Sequence, residues 1–180
     1  MLTELDILKD VTSKLNQLNI QYMLTGSLAM SYYAQPRMTR DIDLVVNIFP
    51  AMINKMEKLF TQSYYISLEA VKDAVDKEFM FNLIHTECSI KVDCIVRKNE
   101  EFRITEFNRK KKIKLTDFEV DIVSKEDLII SKLIWYRDSD SELQKRDIQN
   151  LLSSGFDSDY MLNWIRKLNL ERIYQAIKNE

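Results

Sequence analysis

The sequence predicts an α/β (α+β) fold that ends in a helical C-terminal segment. Three observations lead to this class. Short β-rich runs alternate with stretches of helical apolar spacing as far as residue 123. Within residues 26–46, a Gly-Ser pair opens a short helix and two aspartates enter the strand that follows. After residue 123 only helical spacing remains, so we expect an α/β domain over residues 1–123 and a helical segment packed on it over residues 124–180.

The composition is that of a globular protein with one domain, or one domain with a helical appendage. The chain has 180 residues, of which 46% are apolar and 30% charged, and its net charge is −2. This charge gives no overall basic character of the kind that indicates a nucleic-acid-binding protein. Charged residues interrupt the N-terminus and no apolar run reaches membrane-spanning length, so we expect no signal peptide, no membrane segment and a cytoplasmic location.

The first part of the chain is expected to form a helix, a strand, a short helix and a second strand. Apolar residues recur at helical spacing over residues 3–17, and a β-rich run follows at residues 20–24. The short helix covers residues 28–34 and ends before Pro36, because the proline ring excludes the α conformation from the preceding residue. The second strand covers residues 42–48.

The remaining elements follow from the same patterns. A proline can begin a helix from its first turn, so we expect one to begin near Pro50. Strands are expected at residues 64–68, 79–85, 90–96 and 118–123, and helices at residues 68–77, 128–136, 142–152, 159–168 and 170–178. Ser124 is the predicted N-cap of the first C-terminal helix, since an acid stands three residues after it.

The Gly-Ser pair and the two aspartates suit a site for a nucleotide phosphate and a divalent metal. Asp41 and Asp43 are separated by one residue on a strand, so both carboxylates face the same side of the sheet. Carboxylates are the hard oxygen ligands that magnesium prefers, usually together with substrate phosphates. Gly26 lets the backbone approach a phosphate, the free N–H groups of a helix start favour anions, and Ser27 adds a hydroxyl donor.

This arrangement resembles the signature of the nucleotidyltransferase-fold superfamily. The Gly26-Ser27 pair is followed by Arg37, Thr39, Asp41 and Asp43 at alternate positions. This spacing is similar to the Arg-x-Ser/Thr-x-Asp-x-Asp motif of the AbiEii/AbiGii toxin-like branch. The resemblance implies a two-layer domain with a mixed β-sheet, and transfer of a nucleoside monophosphate from a nucleoside triphosphate with the help of two magnesium ions. It also implies that Arg37 and Thr39 help to bind the nucleotide, with Arg37 either contacting phosphate or bracing the aspartate strand.

Asp93 is the expected third metal ligand. It lies in the middle of a predicted strand, where a buried aspartate is costly unless it is paired or binds a metal. The alternative is a strand residue that faces solvent. The superfamily pattern, which places a third acidic residue on such a strand, favours the metal role. The same carboxylate could also accept the proton of the attacking hydroxyl.

Lys132 and Asp147 are charges on otherwise apolar helical faces, so each needs a partner. They are similar to the lysine and to the Arg-Asp segment, here residues 146–150, in the later motifs of the AbiEii-like branch. In the functional interpretation, Lys132 contacts a triphosphate oxygen and Asp147 orients it or the acceptor. In the structural alternative, the two residues pair only with each other as a buried salt bridge.

A dense basic run, RKKKIK, occupies residues 109–114. Such a run is usually the solvated face of a strand or turn, and contact with a polyanion such as tRNA is the alternative.

These features predict a magnesium-dependent nucleotidyltransferase. The resemblance leaves the acceptor open between the end of a tRNA, as in toxin-like relatives, a small hydroxylated molecule and a protein hydroxyl. A member of a toxin–antitoxin pair would also bind an antitoxin protein. The alternative is a catalytically silent module of the same fold that binds a nucleotide or a partner protein.

Overall fold

The computed structural model describes residues 2–179, and a mixed sheet of seven strands lies at its centre. The strands are β1 Gln21–Thr25, β2 Asp41–Asn47, β3 Tyr64–Tyr65, β4 Met80–His85, β5 Lys91–Val96, β6 Lys111–Leu115 and β7 Phe118–Ile122. The α-helices are α1 Glu4–Gln17, α2 Gly26–Tyr33, α3 Ile53–Phe60, α4 Leu68–Asp76, α5 Glu101–Asn108, α6 Lys125–Ser139, α7 Glu142–Leu152, α8 Ser158–Lys167 and α9 Glu171–Lys178. These elements confirm the predicted α/β class, the mixed sheet and the helical C-terminal segment.

The strand order places the two acidic strands side by side in the middle of the sheet. Across the sheet the order is β3-β4-β5-β2-β1-β7-β6. Strand β2 is antiparallel to β1 and parallel to β5, and β1 is parallel to β7. The register of β2 and β5 places Asp43 beside Asp93 and Asp41 beside Lys91. Register partners share a face of the sheet, so the carboxylates predicted to act together lie on one face.

Strand β2 alternates as its sequence predicts. Ile42, Leu44 and Val46 are completely buried in the hydrophobic core, which also takes in the apolar side of α1. Asp41 on the opposite face is exposed, and Asp43 is partly buried. One face of this strand therefore stabilises the fold, and the other is available for chemistry.

The chain after β7 is helical as far as the structure describes it. The Ser124 hydroxyl caps α6 by accepting a hydrogen bond from the backbone N–H of Asp127, as predicted. Helix α6 contacts α2, α7, α8 and α9, and these contacts bury most of its first three turns. The division of the chain at residues 123 and 124 into two units stays a prediction.

Several elements differ from the sequence-based expectation in presence or in extent. Helix α5 was not anticipated, because it buries Glu106 together with Phe102 and Phe107, which weakens its apolar pattern. Strand β3 has only two residues, since Ser67 already caps α4 through a hydrogen bond from Ala70. Helix α6 covers Lys125–Ser139 and so extends three residues beyond the expected range of 128–136 at each end. No helix in residues 2–179 combines the length and the apolar content needed to cross a membrane.

Candidate active site

Eight of the nine predicted site residues line one cleft of about 430 Å³. They come from α2, the segment after it, the two acidic strands and α6, and are Gly26, Ser27, Arg37, Thr39, Asp41, Asp43, Asp93 and Lys132. The ninth, Asp147, contacts Lys132 and Arg37 from α7. The tertiary structure thus assembles in one place residues that the sequence distributes over more than half of its length.

Gly26 is required where β1 turns into α2. Its φ is +65°, in the left-handed region that L-residues with a side chain rarely adopt. A Cβ atom built on this residue would lie 1.9 Å from Oδ2 of Asp43. The Asp43 carboxylate therefore occupies the space that a side chain at this position would need. The approach of a phosphate to Gly26 stays a prediction.

Asp43 is a carboxylate under electrostatic strain. Burial raises its pKa to about 6, and the nearby charges of Asp93 and Asp41 add to the rise. The charge of Lys132 and a hydrogen bond from the backbone N–H of Ser27 act in the opposite direction. Binding of a cation beside this carboxylate is therefore favourable, because the cation offsets the repulsion between the like charges.

Asp93 receives two hydrogen bonds from residues that sequence reasoning did not select. The amide Nδ2 of Asn82 donates to Oδ1, and Nζ of Lys91 donates to Oδ2 at 2.9 Å. Lys91 Nζ also lies 3.7 Å from Oδ1 of Asp41. A signal for Lys91 was present, since it precedes Asp93 by two residues on β5 and so shares its face. Asn82 depends on the pairing of β4 with β5, in which it is the register partner of Asp93.

The donor set fits a magnesium ion at Asp43 and Asp93. Two carboxylates that face each other across neighbouring strands supply hard oxygen ligands, and magnesium is commonly held by one or two carboxylates together with substrate phosphates. Lys91 contacts both Asp93 and Asp41, at 2.9 and 3.7 Å. Within residues 2–179, no three acidic, histidine or cysteine side chains converge on one ion position. The three-carboxylate metal site therefore stays a prediction.

Lys132 and Asp147 form part of a buried cluster that ties α6 and α7 to α2. Lys132 Nζ donates to Oδ2 of Asp147 at 2.8 Å and to the amide oxygen of Gln144 at 3.0 Å. Arg37 donates to both oxygens of Asp147, at 3.0 and 3.2 Å, and also to the hydroxyl of Ser27. The lysine and the aspartate are thus not an isolated pair, because Asp147 holds two cations.

The cluster leaves Lys132 at the cleft wall with its charge only partly stabilised. Burial lowers the pKa of Lys132, and the hydrogen bond from its ammonium to Asp147 opposes this fall. Thr39, two residues before β2, also lines the cleft, and its hydroxyl donates to the carbonyl of Asp41 at 3.4 Å. The cleft is therefore lined both by the cations Lys132 and Arg37 and by the carboxylates of the two acidic strands.

A second cleft of about 480 Å³ adjoins the first and shares Gly26, Asp43, Lys132 and Trp135 with it. Two large exposed aromatic side chains, Phe79 and Trp135, line it. Sequence reasoning missed both of them, because an exposed aromatic residue has no periodicity that would distinguish it from a core residue.

Basic side chains lie on another part of this second cleft. Arg97 and Lys98 line it, and the hydrogen bonds of Arg97 go to neutral oxygens, those of Asn47 and the Lys98 backbone. A third basic residue, Arg103, instead donates to Glu106 at 2.9 Å. The second cleft thus offers cationic groups whose hydrogen bonds are not all taken by carboxylates.

The basic run at residues 109–114 lies away from both clefts, and acidic residues of the chain face it. Strand β6 is at an edge of the sheet, and its register pairs Lys112 with Asp121 and Lys114 with Glu119 on β7. Arg109 donates to the buried carboxylate of Asp127 at 3.1 Å. These contacts favour the interpretation of the run as the solvated, charge-paired face of a hairpin.

The fold resembles that of several nucleotidyltransferases of known structure. Lincosamide antibiotic adenylyltransferase LnuA, solved with lincomycin bound, shares 16% identity over 81% of this chain and 94% of its own, with a TM-score of 0.54. An antigenic nucleotidyltransferase-like protein from Paracoccidioides brasiliensis shares 18% identity over 96% and 90%, with a TM-score of 0.56. ANT(2")-Ia, solved with adenylyl-2"-tobramycin, shares 13% identity over 96% and 95%, with a TM-score of 0.58. At these identities the likeness establishes the fold.

Family assignment comes from the sequence itself. Among curated protein sequences no significant match was found. The model of the family described as nucleotidyl transferase AbiEii toxin, type IV toxin–antitoxin system, matches residues 11–167, a range that contains every residue of the cleft described above. The chain is therefore a nucleotidyltransferase and belongs to the AbiEii toxin family.

Proposed function

We propose that this nucleotidyltransferase is magnesium-dependent and transfers a nucleoside monophosphate from a nucleoside triphosphate to a hydroxyl group of an acceptor. The observation that carries the proposal is the side-by-side placement of Asp43 and Asp93, with the start of α2 and Lys132 at the same cleft. This arrangement supplies ligands for a cation and donors for an anion within one site.

The triphosphate is bound by the cationic side of the cleft. The N-terminus of α2 presents backbone N–H groups there, which favour phosphate oxygens. Lys132 adds a compact positive charge and Arg37 adds a planar guanidinium. Both side chains donate hydrogen bonds to Asp147, which holds them at the cleft wall. Ser27 and Thr39 place hydroxyl groups on the same cleft.

The acidic side of the cleft performs the chemistry. Asp43 and Asp93, with Asp41, would hold two magnesium ions, which when bound offset charge on the attacking and leaving oxygens of the displacement. Asp93 is the proposed acceptor of the proton that leaves the attacking hydroxyl, since its carboxylate lines the cleft beside Asp43. Lys132 and Arg37 hold the triphosphate in place while the hydroxyl attacks.

The second cleft is the proposed acceptor site, and its chemistry favours the end of a tRNA. Phe79 and Trp135 provide flat apolar surfaces on which bases can stack, and Arg97 and Lys98 provide charges for phosphates. A small hydroxylated molecule is the second candidate, because a cleft of about 480 Å³ has the size of a small-molecule pocket.

The family assignment also supports an antitoxin protein as a partner. We propose that such a partner acts by covering the shared mouth of the two clefts, where Trp135 is exposed and lines both.

The test is transfer of label from each of the four α-labelled nucleoside triphosphates, with magnesium, to total tRNA or to a panel of lincosamides and aminoglycosides. Label on tRNA that is lost in an Arg97→Gln/Lys98→Gln variant supports the leading acceptor. Label on a small molecule replaces it with the second candidate. Tight triphosphate binding without transfer to any acceptor supports a catalytically silent module. The Asp43→Asn variant is the control for background transfer.

A further inference from the structure

Lys91 forms an ion pair inside the acidic group of the active-site cleft. Its ammonium lies between two of the three predicted metal ligands, 2.9 Å from Oδ2 of Asp93 and 3.7 Å from Oδ1 of Asp41. The position follows from the sheet, because Lys91 is two residues before Asp93 on β5 and is the register partner of Asp41 on β2. A cation of the protein itself thus occupies the space between two carboxylates.

The Lys91 side of these contacts is open to solvent. Its side chain is 39% exposed and that of Asp41 is 55% exposed, so this pair can be solvated when it separates and contributes little to folding stability, commonly about 0–1 kcal/mol. Asp93 is 11% exposed, so its carboxylate needs a cation in place of Lys91 once the lysine leaves. Lys132, by contrast, is 4% exposed and is held by Asp147 and Gln144. Lys132 is therefore fixed in the cleft wall, whereas Lys91, which contacts the cleft carboxylates Asp41 and Asp93, remains accessible to solvent.

A divalent ion competes for the same carboxylates with twice the charge. Asp41, Asp43 and Asp93 repel one another across the two strands, and a positive charge among them relieves part of that repulsion. In the absence of a metal, Lys91 supplies this charge at Asp41 and Asp93. For these two residues to bind a metal, the lysine must leave.

We propose that Lys91 is a built-in cation that competes with a divalent metal for Asp41 and Asp93, and so keeps metal occupancy low until the triphosphate arrives. The inference rests on the proposed metal site and adds a residue that controls its loading. The phosphates of the nucleotide supply further oxygen ligands, and with them the ion displaces the lysine. In the free protein Lys91 offsets the repulsion between the carboxylates, and in the substrate-bound protein the metal offsets it.

The test measures Mn²⁺ binding to the whole chain without nucleotide, by titration calorimetry and by the loss of free Mn²⁺ signal in electron paramagnetic resonance. Lys91→Met removes the charge and keeps the length of the side chain, and should tighten Mn²⁺ binding about tenfold or more. Lys91→Arg keeps the charge and should stay close to wild type. Lys58→Met, on the exposed side of α3, is the matched control for loss of a surface lysine.

Thermal unfolding distinguishes this role from a structural one. If Lys91 competes with metal, Lys91→Met has a lower melting temperature than wild type in EDTA and recovers more than wild type when Mn²⁺ is added. A salt bridge that only supports the fold predicts equal losses with and without Mn²⁺ and an unchanged affinity, and this result would overturn the proposal.

Asp43→Asn separates failure of this inference from failure of the proposed metal site. If Asp43→Asn abolishes Mn²⁺ binding and Lys91→Met does not tighten it, the metal site stands and the role of Lys91 is wrong. If Asp43→Asn leaves Mn²⁺ binding unchanged, the metal site itself is wrong, and the competition proposed for Lys91 is wrong with it.

Discussion

At the residue scale, Gly26 and Asp43 constrain each other. The glycine adopts a φ of +65° at the start of α2, and the carboxylate occupies the space that a side chain on the glycine would need. The backbone N–H of Ser27 then donates to Asp43. The turn at Gly26, the helix start at Ser27 and the proposed metal ligand Asp43 are thus in direct contact. A substitution at any one of them is therefore expected to displace the other two.

Gly26→Ala should be strongly destabilising and inactive. The added Cβ would require both a left-handed backbone for alanine, which costs about 1 kcal/mol or more, and displacement of Asp43 from 1.9 Å. We expect a loss of about 2 kcal/mol or more in the free energy of unfolding, measured with urea. Gly155→Ala is the matched control, because a Cβ there meets no atom within 4 Å. Equal stability of the two variants would contradict the explanation of Gly26.

Asp43→Asn should stabilise the metal-free protein while abolishing transfer. The folded-state pKa of Asp43 is about 6, raised from 3.8. The ionised carboxylate therefore opposes folding, with a cost that is absent below about pH 4 and complete above about pH 6. In EDTA we expect the variant to gain about 1–3 kcal/mol of unfolding free energy at pH 7 and little at pH 4. Transfer with magnesium should fall by several orders of magnitude.

The comparison that checks this prediction is urea unfolding of both proteins at intervals from pH 4 to pH 7.5. A gain that grows with pH confirms the electrostatic strain on Asp43. A gain that is the same at every pH would assign it to packing instead.

At the element scale, hydrogen-bonded ion pairs connect α6 and α7 to each other and to α2. Asp147 on α7 accepts hydrogen bonds from Lys132 on α6 and from Arg37, which also reaches Ser27 on α2. The carboxylate is buried, so it depends on its cationic partners and they depend on it. The packing of α6 and α7 against α2 therefore depends on these charged side chains, which lie beside the proposed triphosphate site.

Lys132→Met and Asp147→Asn should differ in their effect on stability. After Lys132→Met, Asp147 keeps its two hydrogen bonds from Arg37, so we expect a loss of only about 1 kcal/mol. Asp147→Asn leaves two cations without their carboxylate and should cost about 3–5 kcal/mol. Both losses are measured by urea unfolding.

Activity per folded molecule shows whether Lys132 contacts the nucleotide. Lys132→Met should reduce transfer sharply although the protein remains folded, because a phosphate ligand is lost. Lys125→Met is a control on the same helix, since Nζ of Lys125 bonds the carbonyl oxygens of Ser154 and Gly155. It should lose stability and keep its specific activity. Full activity of folded Lys132→Met would remove that lysine from the proposed site.

At the scale of the whole molecule, the C-terminal helices complete the core that supports the cleft. Helices α8 and α9 contact α6, and Trp164 on α8 lies edge-on to Phe102 on α5, with ring centroids 5.2 Å apart. Trp164 is 5% exposed, whereas Trp135 is 56% exposed and lines both clefts. Trp164 thus contributes to the core, whereas Trp135 contributes to the surface of the two clefts.

Alanine substitution should separate these tasks. Trp164→Ala removes a buried aromatic side chain and should cost about 3–5 kcal/mol of unfolding free energy, without a change in KM for the folded fraction. Trp135→Ala should change stability by less than about 1 kcal/mol, while raising KM for the acceptor. Urea unfolding and initial-rate kinetics check both parts. A raised acceptor KM in Trp164→Ala alone would reverse the assignment.

Much of the candidate site could be predicted because its signals are local. The spacing of Asp41 and Asp43 determines that they share a face, since side chains of a strand alternate. The glycine, the proline and the apolar spacing determine where α2 begins and ends within about two residues. The capping serine determines the start of α6. These features depend on backbone preferences of neighbouring residues, and they were sufficient for the fold class and the family.

Only the tertiary structure decided which distant residues meet. The parallel pairing of β2 and β5 brings Asp93 beside Asp43 and places Lys91 between Asp93 and Asp41. The packing of α7 gives Arg37 and Lys132 a common partner in Asp147. The physical reason is that strand register and helix packing minimise the free energy of the whole chain, through burial and charge pairing between segments far apart in sequence, and no local pattern records that choice.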